Sequence, residues 1–282
     1  MLAYRHVFHA GNHADVLKHT VLLALLKYLQ AKDKPLHCVD THAGAALHAL
    51  HDAGSNSHRE YDTGIGRLWD QADESLPPLL KDYRSAIRGC NPDGQLQRYP
   101  GSAHLLSHRL RAHDRLWLFE KHPSEQVALQ RYFHGHDKVQ LRGDDGFEGL
   151  RAVLPPVSRR GLILIDPAYE DKQDYRAVVS SVKAGLERFA TGTYAIWYPM
   201  LTRDEARKLP DRLTALLPGR WLHAQLQVRG TASDTVRMLG SGMVVLNPPY
   251  TLRPQLEPAM VWLAKNLSQD DGARWAIDSK LD

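Results

Sequence analysis

The sequence predicts an α/β protein: an open sheet of seven strands alternating with helices, interrupted by an inserted helical stretch. Three observations carry this. Short apolar runs bounded by turn residues recur along the chain, each of strand rather than helix length. Helical stripes alternate with them, as in layered α/β folds. Four of the runs end on an acid, where open sheets of this kind do their chemistry.

At 282 residues, the chain suffices for one large α/β domain carrying an insertion. A hydrophobic content of 43% excludes global disorder. No apolar run reaches membrane-span length, and the stretch from Met1 to His6 has no signal-peptide hydrophobic region. Two distant cysteines, Cys38 and Cys90, exclude a disulfide framework and a cysteine zinc site. A reduced, cytoplasmic, monomeric protein with no membrane partner and no metal is expected. The net charge of +4, the pI near 9.0 and 16 histidines favour a polyanionic partner.

In chain order, Asn12 followed by Asp15 reads as a helix start close to a capping box. Val16, Leu17, Val21, Leu25 and Leu29 give the stripe of a helix from His13 to about Gln30, which carries Lys18 and His19. His6, His9, His13 and His19 lack the spacing of a metal site, so solvated or RNA-facing histidines are expected. Leu36–Asp40 is the first strand, and Thr41-His42-Ala-Gly44 is a small-residue turn suited to close backbone approach by an adenosyl group. It is not Gly-x-Gly-x-x-Gly, which disfavours a dinucleotide oxidoreductase.

Residues 46–98 break the strand–helix rhythm. Helical fragments around 59–71 and 76–89, with Tyr61, Ile65, Leu68 and Trp69 on one face, predict an inserted helical subdomain. Ser102 reads as the N-cap of the next helix. Arg115–Glu120 and Lys138–Arg142 are the second and third strands. Glu120 suits the two ribose hydroxyls of an adenosyl cofactor, and Asp145 suits its adenine amine. Pro155–Gly161 is a stiff basic loop. Beyond the fourth strand come a helix at 172–188, strands at 192–198, 221–228 and 242–246, and a helix at 203–216. The Gly-, Ser- and Thr-rich loop 229–241 is expected to flex over substrate. The domains expected are thus 1–45 with 99–267, the insert 46–98, and a loosely held tail 268–282.

The fourth strand, Gly161–Ile165, runs into Asp166-Pro167-Ala168-Tyr169. An adenine amine is a poor nucleophile, because its lone pair is delocalised into the ring. Asp166 and a carbonyl at the Asp-Pro167 step can each take one amine hydrogen, while Tyr169 stacks on the base. The tetrad resembles the Asp-Pro-Pro-Tyr motif of adenine amino-methyltransferases, departing from it at Ala168. Asn247-Pro-Pro-Tyr250 matches that motif more closely, but it follows the seventh strand. It is expected to be a structural turn.

Three longer runs carry a more specific resemblance: Tyr4-Arg-His-x-Phe-His-Ala-Gly-Asn-His-Ala-Asp-Val-Leu-Lys-His19, Pro155 to Pro167, and Arg188-Phe-Ala-Thr-Gly. The chain resembles the RlmJ family of bacterial 23S ribosomal RNA (adenine-N6)-methyltransferases over nearly its whole length. The resemblance implies a class I, Rossmann-like fold dependent on S-adenosylmethionine (SAM), with an inserted helical subdomain. It implies SAM contacts from His19, His42, Ser102, Glu120, Asp145, Gly146 and Asp166, with Asp166 also the proton acceptor. It implies Tyr4 as a substrate-contacting aromatic, with Lys18 beside it. The expected activity is methyl transfer to an adenine N6 of 23S rRNA. Its alternatives are a DNA adenine methyltransferase or an rRNA-binding assembly factor with little turnover.

Overall fold

The computed structural model describes residues 9–50, 59–230 and 238–282. Tyr4 and most of the loop expected over 229–241 lie outside them.

Helix α1 (His13–Gln30) opens the described fold. The Asn12 side chain accepts from the N–H groups of Ala14 and Asp15, and the Asp15 carboxylate reaches back to the N–H of Gly11. This reciprocal arrangement fixes the helix start. The first fourteen residues of α1 are buried on every side, including His13, Asp15, Lys18 and His19. A surface helix would keep one polar face wet. Here the sheet covers one side and the inserted segment covers the other.

The main sheet contains β1 (His37–Asp40), β4 (Arg115–Phe119), β5 (Val139–Arg142), β6 (Gly161–Ile165), β7 (Thr193–Met200), β8 (Arg220–Gln227), β9 (Gly240–Leu246) and β10 (Arg274–Leu281). A separate hairpin, β2 (Leu47–Ala49) with β3 (Arg98–Pro100), closes the ends of the insert. The main order is β10-β8-β9-β7-β6-β1-β4-β5. β5, β4, β1, β6 and β7 pair in parallel, and β9 runs antiparallel between β7 and β8.

The chain winds outward from β1 in both directions, so the order reverses between β1 and β6. Ligands bind beyond the strand ends at such a point. β6 is buried on both faces. Leu162 and Leu164 join the core under α1, whereas Ile163 and Ile165 join the core under α6 (Gly146–Val153), α7 (Lys172–Arg188) and α8 (Asp204–Thr214).

Three expectations need correction. The sheet has eight strands, not seven. The segment taken as a loosely held tail contains β10, which pairs with β8 over all eight of its residues. Only Ile277 of that strand is buried, so backbone hydrogen bonds hold it and no apolar alternation announces it. Ser102 is not an N-cap: Gly101 holds that position, and Ser102 is the first residue of α4 (Ser102–Ser107).

Within 46–98 the structure places α2 (Gly66–Trp69), α3 (Pro78–Arg88) and two 3-10 turns. Tyr83, Leu80 and Ile87 of α3 are buried in the same core as α1 and α9 (Leu252–Asn266), so this segment continues the main core.

Candidate active site

The ends of β1, β4, β5 and β6 surround a cavity of about 920 Å³. It is lined by Lys18, His19, His42, Ser102, Glu120, Asp145, Gly146, Asp166, Pro167 and Tyr169, every candidate among the described residues. They come from six separate stretches of sequence, and the parallel register of the strands brings them to one rim.

Lys18 reaches from α1 to the end of β6. Its Nζ lies 2.5 Å from Oδ2 of Asp166 and 2.9 Å from Oδ1 of Asp15. Burial opposes the charge on Lys18, but two carboxylates outweigh it and raise the ammonium pKa well above its usual value. Lys18 therefore stays protonated at any physiological pH. Its Nζ also lies 5.9 Å from the centre of the Trp197 ring. Asp15 was legible as a capping residue; its second role depends on a strand end 151 residues away and has no local signal.

Asp166 is fixed by Lys18 but keeps 15% of its side chain exposed. Tyr169 follows with φ of +53°, a left-handed conformation rare for a bulky residue. Its hydroxyl donates to the Trp197 carbonyl, and its ring is only 2% exposed, packed against Tyr175. It forms a wall of the cavity with little free face for stacking. Trp197 is half-buried and also lines the cavity, although its place in the sequence marks it only as a strand residue.

At the neighbouring ends, Glu120 accepts the N–H of Gly44 at 2.9 Å and that of His122 at 2.6 Å. Burial raises its pKa, and these two donors oppose the shift. Asp145 caps α6 by accepting from the Phe147 N–H at 2.9 Å, with Lys121 3.3 Å from its other oxygen. An added Cβ at Gly146 would stand 1.9 Å from the Thr41 carbonyl oxygen. Only glycine lets α6 begin this close to the end of β1.

Burial lowers His42 to about 4, keeping it neutral, and its ring meets Phe147 edge-on. Burial raises Asp40 to about 6, partly offset by the Ser102 hydroxyl and the His42 N–H. His19 is fully buried, with Nδ1 2.8 Å from the Tyr99 hydroxyl, which lies 2.9 Å from that of Tyr83. No group of three or more potential metal ligands occurs among the described residues.

The donor set fits SAM. Glu120 suits the ribose hydroxyls, Asp145 the adenine amine, and the close turn at Gly146 suits a flat ring. Among the described residues seven carboxylates line the cavity, a favourable setting for a cationic ligand. Asn247 is positioned differently. Its amide donates to the carbonyls of Ala190 and Gly192 at 2.7 and 2.8 Å, and it does not line this cavity.

The strand order and the acids ending β1, β4, β5 and β6 define a class I SAM-dependent methyltransferase fold. Comparison with known proteins narrows the class. A model described as "Ribosomal RNA large subunit methyltransferase D, RlmJ" matches residues 33–278, and the chain belongs to that family. Ribosomal RNA large subunit methyltransferase J of Escherichia coli K12 is 46% identical over 95% of this chain and 94% of its own length. Its Haemophilus influenzae counterpart is 43% identical over 99% and 98%. A Legionella pneumophila crystal structure superposes with a TM-score of 0.88 at 34% identity, covering 96% of this chain and 98% of that one.

Proposed function

We propose that this protein transfers a methyl group from SAM to the exocyclic N6 of an adenine in 23S ribosomal RNA, acting as a monomer in the cytoplasm. The observation that carries the reading is Asp166, held by Lys18 at the end of β6 in the cavity that Glu120 and Asp145 also line. Membership in the RlmJ family supplies the substrate class. Among the described residues no helix is long and apolar enough to cross a membrane.

SAM supplies a methyl group activated by its positive sulfur. The protein's own residues orient the acceptor. Lys18 occupies Oδ2 of Asp166, so Oδ1 takes a hydrogen from the adenine amine, and the carbonyl at the Asp-Pro167 step takes the other. These two bonds draw the nitrogen out of conjugation and aim its lone pair at the methyl. With SAM bound, its sulfur would release the methyl to the amine nitrogen, and Asp166 would take the amine's surplus proton and pass it to solvent. Lys18, held charged between Asp15 and Asp166, fixes the Asp166 carboxylate in place. Glu120 and Asp145 hold the adenosyl part, and Ser102, His42 and Gly146 line the space around it. Tyr169 and Trp197 wall the base. An adenine amine is hidden in a duplex, so the base enters unpaired or flipped.

The test is tritiated-methyl transfer from SAM to unmodified 23S rRNA, to adenine-containing DNA and to protein, run in parallel. Label in N6-methyladenosine of the RNA alone is the expected result. Label in DNA, or in no substrate while SAM still binds, would move the protein to one of the other two readings.

A further inference from the structure

The cavity around Asp166 is a poor electrostatic magnet for RNA. Among the described residues its seven carboxylates face four lysine or arginine side chains, and one of these, Lys18, is already paired with two acids. Yet the chain carries net positive charge, and nucleic-acid affinity rests on cations meeting phosphates.

Those cations gather at the other end of the sheet. The loop after α1 is lashed down by two guanidiniums: Arg111 donates to the carbonyls of Gln30, Lys32 and Lys34, and Arg160 to those of Leu29 and Lys34. This fixes a rim on which Lys32, Lys34 and Arg159 are exposed. Asp33 and Asp114 stand against them, and Asp114 is fully buried and bonded to Arg111.

Beside that rim lies a recess of about 380 Å³, bounded by Lys32, Arg220, Tyr28 and the Asn247-Pro-Pro-Tyr250 turn. Tyr250 is 73% exposed and Tyr28 37%, their rings 6.4 Å apart and perpendicular. The Asn247 amide bonds described above tie down the turn beneath Tyr250, so the ring stands on a rigid base. A fixed, exposed aromatic flanked by cations is the arrangement that binds unpaired nucleotides.

We propose that this recess and its rim form a second RNA-binding surface, in which an unpaired base stacks on Tyr250 and its flanking phosphates meet Lys32 and Arg220. The proposal rests on the rRNA reading above. It assigns affinity to one end of the sheet and chemistry to the other. Registers through β7 set the two tetrads apart by about four residues, ~13 Å, along the strand direction, within reach of one folded RNA.

The test uses Tyr250→Ala, Tyr250→Phe and the double variant Lys32→Glu/Arg220→Glu, with an unmodified 23S rRNA transcript as probe. Filter binding without SAM should show Tyr250→Ala and the double variant weakened roughly 5- to 20-fold, with Tyr250→Phe near wild type. The double variant should also show a shallower salt dependence. In methyl transfer the loss should fall on KM, with kcat within about twofold, because no residue of the Asp166 cavity changes. Wild-type affinity in Tyr250→Ala and the double variant overturns the proposal. So does a dimer in wild-type sedimentation that Tyr250→Ala dissolves without changing RNA binding, since the surface would then join two copies of this chain. A wild-type protein that binds the transcript through these residues but never methylates it would refute the catalytic reading and leave this surface standing.

Discussion

Asp166-Pro-Ala-Tyr169 and Asn247-Pro-Pro-Tyr250 flank β7 on its two sides and face opposite ends of it. Asp166 follows Ile165, which is level with Ile196, whereas Asn247 follows Leu246, which is level with Tyr194 at the strand's start. Both tetrads contain a residue with φ of +53°, at Tyr169 in the first and Asn247 in the second. At the first, the carboxylate meets a buried lysine and the tyrosine is buried. At the second, the amide is bound to backbone and the tyrosine points into solvent. Similar letters thus serve different tasks, because parallel β6 and antiparallel β9 deliver their ends to opposite rims. A tetrad's chemistry depends on which rim it reaches and on which of its hydrogen bonds are already made.

The largest effect expected from this contrast is at Asp166. Asp166→Ala should lower kcat for methyl transfer by about 10²–10⁴-fold with the fold intact by circular dichroism. Turnover within a few-fold of wild type would remove Asp166 from the reaction.

Glu120→Ala should weaken SAM by roughly 1.5–3 kcal/mol, since charge-assisted bonds to the ribose are lost. Calorimetry giving an unchanged Kd would take Glu120 out of the cofactor site.

Asn247→Ala reverses the pattern. Methyl transfer per folded molecule should persist, while stability falls by about 1–3 kcal/mol through two lost hydrogen bonds and a side chain unsuited to positive φ. A stable but inactive Asn247→Ala would exchange the roles of the two tetrads.

The smallest effect is in pH. His13 and His42, both lining the cavity, are lowered to about 4 by burial. The unfolded chain therefore takes up their protons first, and stability is lost as pH falls from 6.5 towards 4. Asp40 acts in the opposite sense: raised to about 6, it adds stability as pH falls from 6 towards 3.8. Two groups outweigh one, so the urea midpoint should drop on acidification across this window, and less so in His42→Gln. A midpoint that rises towards pH 4 would contradict the burial of these rings. Among the described residues no histidine lines the recess under Tyr250, which should not contribute.

The sequence by itself determined seven of the eight strands of the main sheet, the long first helix and the acids at strand ends. Each is written in local terms: apolar runs of strand length, a 3.6-residue stripe, a carboxylate after the run. It also put the two tetrads after different strands, the fourth and the seventh, but the opposite rims they reach follow from the antiparallel setting of β9, which only the folded sheet shows. What it could not determine was whatever depends on partners distant in the chain. β10 carries no apolar alternation, since an edge strand is held by its neighbour's backbone. The Asp15–Lys18–Asp166 cluster joins a helix start to a strand end, and only the packing of α1 across the sheet brings the three charges together. The burial of Tyr169 and the exposure of Tyr250 were likewise decided by tertiary structure, because the accessibility of an aromatic ring is a property of what packs around it.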